Sequence, residues 1–365
     1  MTSEILQHLE AIIPIQSTTD NPRACKQVLD YCRDLFSDID WIIIEEIEHE
    51  GVHSLVVKNF DGKRADVCLS GHVDVVPVQD PSQRTPRIEW DYLYGRGSWD
   101  MKDGVIVMTQ VLHDVLQEQS SDKKLMLILT SDEEIGWARG AGYLASLWYG
   151  GDVVLVCDGG NRTTLVYAEK GIITLKLTAQ GQAGHSSRPW LYDNAIERLY
   201  SAYSAIKQSL ESDSLSRENH RWTSVQLTEI SWWTASNVIP GEATWTLNLR
   251  YTEEYTYNEI ITHIETSLTK IWSVEYEIIA HGDLMHTDAD HPAIQRYFSI
   301  VQEHTNRQAI LKKEHWASDG RHFAARWSVV MLHKPTCYDI HGRDERTTIP
   351  DFDLIYQCYK EFIIS

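Results

Sequence analysis

The chain has 365 residues, 42% apolar and 24% charged, the balance of an ordinary globular protein with room for two domains and a substantial core. A formal charge of −20 argues against nucleic acid or an anionic membrane as partner, because both demand a basic face. No apolar run reaches membrane-span length, the opening Met1-Thr-Ser-Glu-Ile-Leu-Gln-His-Leu-Glu10 is acidic and helical in period, and six scattered cysteines lack paired spacing; a cytoplasmic protein with reduced thiols is expected.

In chain order, Leu6 to Ile13 and Ala24 to Phe36 read as helices, the second opened by Asp20, Asn21 and Pro22. Residues 41–44 and 54–57 read as strands. A third β-prone run, 65–70, leads into Ser70-Gly-His-Val-Asp-Val-Val-Pro77. On a strand, His72 and Asp74 share one face, and an imidazole that binds a cation through one nitrogen usually gives its other N–H to a carboxylate. Tyr94 to Gly104 then sets Asp100 in a glycine-punctuated turn before an apolar helix, 105–116. The strand 125–129 ends in Thr130-Ser-Asp-Glu-Glu134. After a short helix, 140–147, the strand 153–157 ends in Asp158-Gly-Gly160, and a late aromatic-apolar run, Cys337-Tyr-Asp-Ile-His341, supplies a histidine. Strand ends of an open α/β sheet converge on one crevice. Five mixed histidine and carboxylate ligands drawn from these blocks suit two zinc ions bridged by a carboxylate, with cobalt or manganese as substitutes. Each has a plainer reading: Asp-Gly-Gly is an ordinary turn, Asp-Glu-Glu an ordinary solvated run, and His315, His322 and His333 compete with His341.

The middle of the chain changes grammar. Residues 172–178, 224–230 and 243–250 alternate with period two, 194–209 and 257–268 have helical spacing, and 271–278 closes a βαββαβ order. The polar stretch 211–218 reads as a surface loop. The expected fold is therefore α/β: a mixed-sheet catalytic domain with helices on both faces, residues 1–171 and 281–365, interrupted by a smaller α+β ferredoxin-like lid, residues 172–280.

The blocks Gly71-His-Val-Asp-Val-Val-Pro77, Gly95-Arg-Gly-Ser-Trp-Asp-Met-Lys102, Ser131-Asp-Glu-Glu134, Ala183-Gly-His-Ser-Ser187 and Asn237-Val-Ile-Pro-Gly241, with His341, are collinear over almost the whole chain. In them the chain resembles the di-zinc amidohydrolase family of acetylornithine deacetylase, succinyl-diaminopimelate desuccinylase, aminoacylase and the carboxypeptidase G group. The resemblance implies His72 and Asp158 on one ion, Glu134 and His341 on the other, Asp100 as bridge and Glu133 as general base. Asp103 departs from it, since many relatives carry glycine there.

The resemblance further implies a homodimer through the lid, with His185 reaching the neighbouring subunit's site as an oxyanion donor; a local capping role for His185 is the plainer alternative. Arg250, at the end of an alternating strand, is a natural carboxylate clamp, with Asn237 beside it in relatives. The block Ser318-Asp-Gly-Arg321 lines the substrate pocket in relatives, which makes Ser318 and Gly320 substrate-binding candidates and His315 and His322 neighbours of that pocket. Trp99, Trp190 and Trp316 are candidates for an aromatic wall, whereas Trp232 and Trp233 read as core. The implied activity is zinc-dependent hydrolysis of an amide in a small carboxylate-bearing molecule, an N-acyl-amino acid or a short peptide. A di- or aminopeptidase is the alternative within the family, and an inactive ligand-binding protein on the same scaffold the alternative outside it.

Overall fold

Short runs of β-branched and leucine side chains, each closed by a polar turn, build a nine-stranded mixed sheet in the larger of two units of the chain. The computed structural model describes residues 2–136, 139–212, 215–232 and 235–365; Trp233, and Asp213 and Ser214 of the polar stretch, lie outside the described residues. The larger unit comprises Met1–Ala168, Met285–Lys313 and Ser318–Ser365. Its four central strands, Leu125–Thr130, Arg64–His72, Gly150–Val156 and Val329–Leu332, run parallel in that order. They read as nearly unbroken apolar runs because both faces are covered. On one face, Thr2–Ile12, Pro22–Asp34, Lys102–Gln117, Pro292–Thr305 and Asp351–Ile364 pack against Val67, Leu69, Leu127 and Leu155. On the other, Ala141–Ser146 and Gly320–Ala324 cover Cys68, Met126, Ile128, Val154 and Val156. The α/β class with helices on both faces is thus borne out.

One boundary differs from the sequence reading. The first strand is Ile43–His49, displaced from the expected 41–44, and Trp41 lies outside it, half exposed. Register is the cause. Glu50 and Gly51 both take positive φ, 48° and 81°, forming a two-residue hairpin turn that pairs His49 with Val52 and Ile43 with Lys58.

The smaller unit, Glu169–Leu284 with Glu314–Ala317, holds an antiparallel sheet in the order Ser224–Ser231, Glu242–Tyr251, Gly171–Gln180, Val274–Gly282. The period of two is literal. Ile173, Leu175, Leu177, Ala179, Ala243, Trp245, Leu247 and Leu249 are buried under the helices Ala195–Leu210 and Tyr257–Leu268, while Thr174, Lys176, Thr246 and Asn248 are less buried. Thr256 and Glu259 start the second helix with reciprocal capping bonds. Among the described residues, no helix is long and apolar enough to cross a membrane. All six cysteines are free, and all but Cys337 are buried.

Candidate metal centre

Because the four central strands are parallel, their carboxyl ends open on one edge of the sheet, and the polar residues of the site are delivered there. His72 is the last residue of its strand, Glu133 and Glu134 follow Thr130 in a short 3-10 turn, and Asp158 lies two residues beyond Val156. His72 Nδ1 is 3.0 Å from the main-chain oxygen of Asp74 and 3.4 Å from Asp74 Oδ1. A carbonyl oxygen only accepts, so Nδ1 carries a proton and Nε2 is the nitrogen turned to the site. The carboxylate of Asp74 has a further task that the His-x-Asp spacing did not disclose. Its oxygens accept the N–H groups of Glu133 at 3.3 Å and Glu134 at 3.2 Å, and the Thr19 hydroxyl at 2.8 Å.

Asp100 stands between two histidines. Its Oδ1 is 3.1 Å from His72 Nε2, and its Oδ2 is 3.2 Å from His341 Nε2. Asp158 Oδ2 lies 3.9 Å from His72 Nε2, and Glu134 Oε2 lies 3.2 Å from His341 Nε2. Two triads result, His72, Asp100 and Asp158 on one side and Asp100, Glu134 and His341 on the other, each with its ligand atoms within 4.8 Å of one another. His72 Nε2 and Asp100 Oδ1 are buried without a hydrogen-bond partner although they face each other. A ring nitrogen and a carboxylate oxygen buried against one point suit a cation, and mixed imidazole and carboxylate donors suit zinc, cobalt or manganese. Glu133 belongs to neither triad; its Oε2 is 4.0 Å from His72 Nε2.

The loop carrying Asp100 is held by a residue for which the sequence offered no role. Glu345 Oε1 accepts the N–H groups of Gly97 at 2.8 Å, Trp99 at 3.0 Å and Asp100 at 3.3 Å, and its other oxygen pairs with Arg96. Arg96 donates in turn to the main-chain oxygens of His341 and Gly342. One buried ion pair therefore ties the Asp100 loop to the His341 loop. Gly97, at φ 80°, has no room for a side chain: a Cβ would lie 2.8 Å from Val75. Gly104 likewise lets the helix after Asp100 lie against the Asp158 strand, where a Cβ would be 2.7 Å from the Cys157 carbonyl.

Lys334 is the second residue the sequence reading missed. It is buried, donates to the main-chain oxygen of Trp99 at 2.7 Å, lies 3.5 Å from Asp158 Oδ1, and sits 3.9 Å from the centre of the Trp99 ring. A lysine two residues past the apolar strand Val329–Leu332 obeys the same placement rule as Asp158, and that signal could have found it.

Burial dominates the electrostatics. It pushes Glu133 well above the usual carboxylate range, with the charges of Asp319, Asp158 and Asp100 adding to the effect against the pull of His72. Burial and then Asp100 push Asp158 up to about 7. Hydrogen bonds with Asp100 and Glu134 raise His341 to about 10. Asp103, in the first turn of its helix, is pushed up to about 6 by burial, and it accepts from Gly104 N and Thr347 Oγ1.

Other candidates fall elsewhere. Ser318 is buried in the larger unit and its hydroxyl accepts the N–H of Gly320, which opens the helix Gly320–Ala324. His333 is a core residue bonded to the Tyr297 hydroxyl at 2.8 Å, and burial lowers it to about 4. His322 is lowered to about 3 by burial beside Arg321. His185, Asn237 and Arg250 belong to the smaller unit: His185 pairs with Val238, the carbonyl of Asn237 accepts Ser186 N–H, and Arg250 donates to Asn248. His315, Trp190, Trp232 and Trp316 are there too, all three tryptophans exposed and so not core, while Trp99 is in the larger unit.

The larger unit thus carries two histidine–carboxylate triads beside its mixed sheet, and a ferredoxin-like unit is inserted in the chain. The chain belongs to peptidase family M20/M25/M40, whose profile matches residues 68–365. It is 27% identical over 384 residues to a succinyl-diaminopimelate desuccinylase of Alkalilimnicola ehrlichii, covering 98% of each chain. It is also 27% identical over 380 residues to the desuccinylase of Pseudoalteromonas atlantica, covering 99% of this chain and 98% of that one. Among solved structures, a tripeptidase of Staphylococcus aureus superposes with a TM-score of 0.82 at 19% identity, over 100% of this chain and 98% of that one. An M20 metallo-carboxypeptidase of Sulfolobus solfataricus superposes with a TM-score of 0.80 at 14% identity, over 99% and 98%. The protein is an enzyme, a metal-dependent amide hydrolase.

Proposed function

We propose that this hydrolase is a deacylase of the desuccinylase type, which releases succinate or a similar acyl group from the nitrogen of a small amino acid. The observation that carries the reading is the sharing of Asp100 between His72 and His341, with Glu133 close by and outside both triads. The desuccinylase relatives, matched along nearly their full length, support the substrate class. His72, Asp100 and Asp158 would hold one zinc ion, and Asp100, Glu134 and His341 a second. Bound there, divalent ions would polarise the scissile carbonyl and ease deprotonation of water.

The chain's own residues do the rest. Glu133 takes the proton from the attacking water at a carboxylate oxygen and delivers it to the leaving amine nitrogen. Its raised pKa suits both halves of that transfer. Arg250 and Asn237 hold a substrate carboxylate, Ser318 and Gly320 contribute to substrate binding, and His185 donates to the developing oxyanion from the partner subunit of a homodimer formed through the smaller unit. The enzyme works in the cytoplasm.

The test is an assay of purified protein on N-succinyl-diaminopimelate, N-acetyl-amino acids and dipeptides, after chelation and again after restoring zinc or cobalt. Metal-restored cleavage of the succinyl amide, faster than of any dipeptide, is expected. Preference for dipeptides would move the protein to the peptidases of the family, and no turnover of any amide with both ions bound would leave a binding protein.

A further inference from the structure

Within the larger unit, Lys334 is a cation that the proposed chemistry does not use, buried against groups that do take part. It comes from the end of the fourth parallel strand, next to the strand that delivers Asp158. Its ammonium makes three contacts at once: 2.7 Å to the carbonyl oxygen of Trp99, the residue before Asp100; 3.5 Å to Asp158 Oδ1; and 3.9 Å to the Trp99 ring centre. A lysine at 1% exposure is retained only where its charge is satisfied. Two further buried cations beside these loops are committed elsewhere, Arg96 to Glu345 and Lys102 to the main-chain oxygens of Ile12 and Ile15. Asp158 Oδ2, in contrast to Oδ1, faces the histidine, 3.9 Å from His72 Nε2. The two oxygens of Asp158 thus look at different partners, one a fixed cation and the other the ligand cluster.

We infer that Lys334 is a positioning residue that occupies Oδ1 of Asp158, leaves only Oδ2 for the first ion, and makes the site of His72, Asp100 and Asp158 weaker than the site of Glu134 and His341. This rests on the reading of Asp158 and His72 as ligands given above. The physical argument has two parts. A fixed positive charge opposes a second cation a few ångströms away, in a place where burial limits screening. A carboxylate oxygen already engaged by an ammonium is also a poorer ligand than a free one, as for other groups that orient and tune metal ligands. Asp103, also buried, adds a negative charge nearby and offers a competing explanation, that Lys334 merely neutralises it.

The test is titration of metal-free protein with cobalt at about pH 8, above the carboxylate range, followed by calorimetry and by the visible absorption of the ion. The wild type is measured first. If it binds no ion that Asp158→Ala abolishes, the ligand assignment itself has failed, before any statement about Lys334. If it binds two ions in unequal steps, Lys334→Met should tighten the weaker step by about 10- to 100-fold and leave the stronger one unchanged. The first ion's absorption should also weaken as Asp158 gains a second contact, while Lys334→Arg should keep wild-type steps. The pair Lys334→Met with Asp103→Asn removes one charge of each sign and separates the explanations. Tightening in the pair supports the inference, whereas wild-type steps in the pair would reduce Lys334 to a counter-ion for Asp103. Should the variants not fold, a structure of the wild type loaded with cobalt decides: Asp158 binding through one oxygen with Lys334 on the other upholds the inference, and Asp158 binding through both overturns it.

Discussion

Glu133 and Glu134 are neighbours with different destinations, and Asp74 explains how. Its carboxylate accepts both N–H groups, pinning the turn so that Glu134 reaches His341 and Glu133 points towards His72. Glu133→Gln should keep both ions yet lower kcat by about 100-fold or more, because an amide cannot relay the proton; metal analysis alongside turnover checks this, and near wild-type turnover would place the base elsewhere. Asp74→Asn should weaken metal binding by about 10- to 100-fold, since an amide cannot accept from both backbone groups and the hydroxyl as well. At this scale the candidate ligands that the structure groups together were legible because each follows an apolar strand or a glycine turn in one short block. Glu345 was not, because the N–H groups it accepts, those of Gly97, Trp99 and Asp100, are main-chain atoms that no motif spells out; the place of Lys334 just past an apolar strand was legible, but its bond to the Trp99 carbonyl was not.

The element that assembles the centre is the Asp100 loop, braced from the His341 loop, which is distant in sequence. Arg96 and Glu345 are both buried, and removing one partner of such a pair strands the other charge. Glu345→Gln should therefore cost about 3–5 kcal/mol of stability, read as a lower denaturant midpoint, and metal binding should fall with it. Protons compete with metal at the same loops. Asp158 stands at about 7 and His341 at about 10, so His341 carries a proton at neutral pH and Asp158 gains one below it, and as ligands each would have to lose it. Affinity should accordingly fall as the pH drops from about 8 to about 6, with protons released on binding that a weakly buffered titration would count. An affinity flat over that range would contradict the placement of these groups. The elements themselves were mostly readable, since buried parallel strands announce themselves as apolar runs. The displaced first strand shows the limit: its start is set by pairing across Glu50 and Gly51, and Trp41 has no local feature that excludes it.

At the scale of the whole molecule, the chain divides into two units whose alternation of apolar residues, period two in the smaller and continuous in the larger, was visible in the sequence. Whether residues of the smaller unit meet the substrate was not, because that depends on contacts distant in sequence. If His185 acts from the partner subunit, His185→Ala should lower kcat by about 100- to 1000-fold with metal content unchanged. Mixed with Glu133→Gln under subunit exchange, it should regain activity, since one site of each heterodimer has both residues intact. Verified heterodimers that stay inactive would contradict action in trans. The central claim, two ions sharing Asp100, is tested most directly by anomalous diffraction at the zinc edge from crystals of the zinc-loaded wild type and Asp100→Ala. The account predicts two peaks in the wild type, one among His72, Asp100 and Asp158 and the other among Asp100, Glu134 and His341, and neither at full strength in the variant. A single peak, or two peaks undiminished without Asp100, would contradict it.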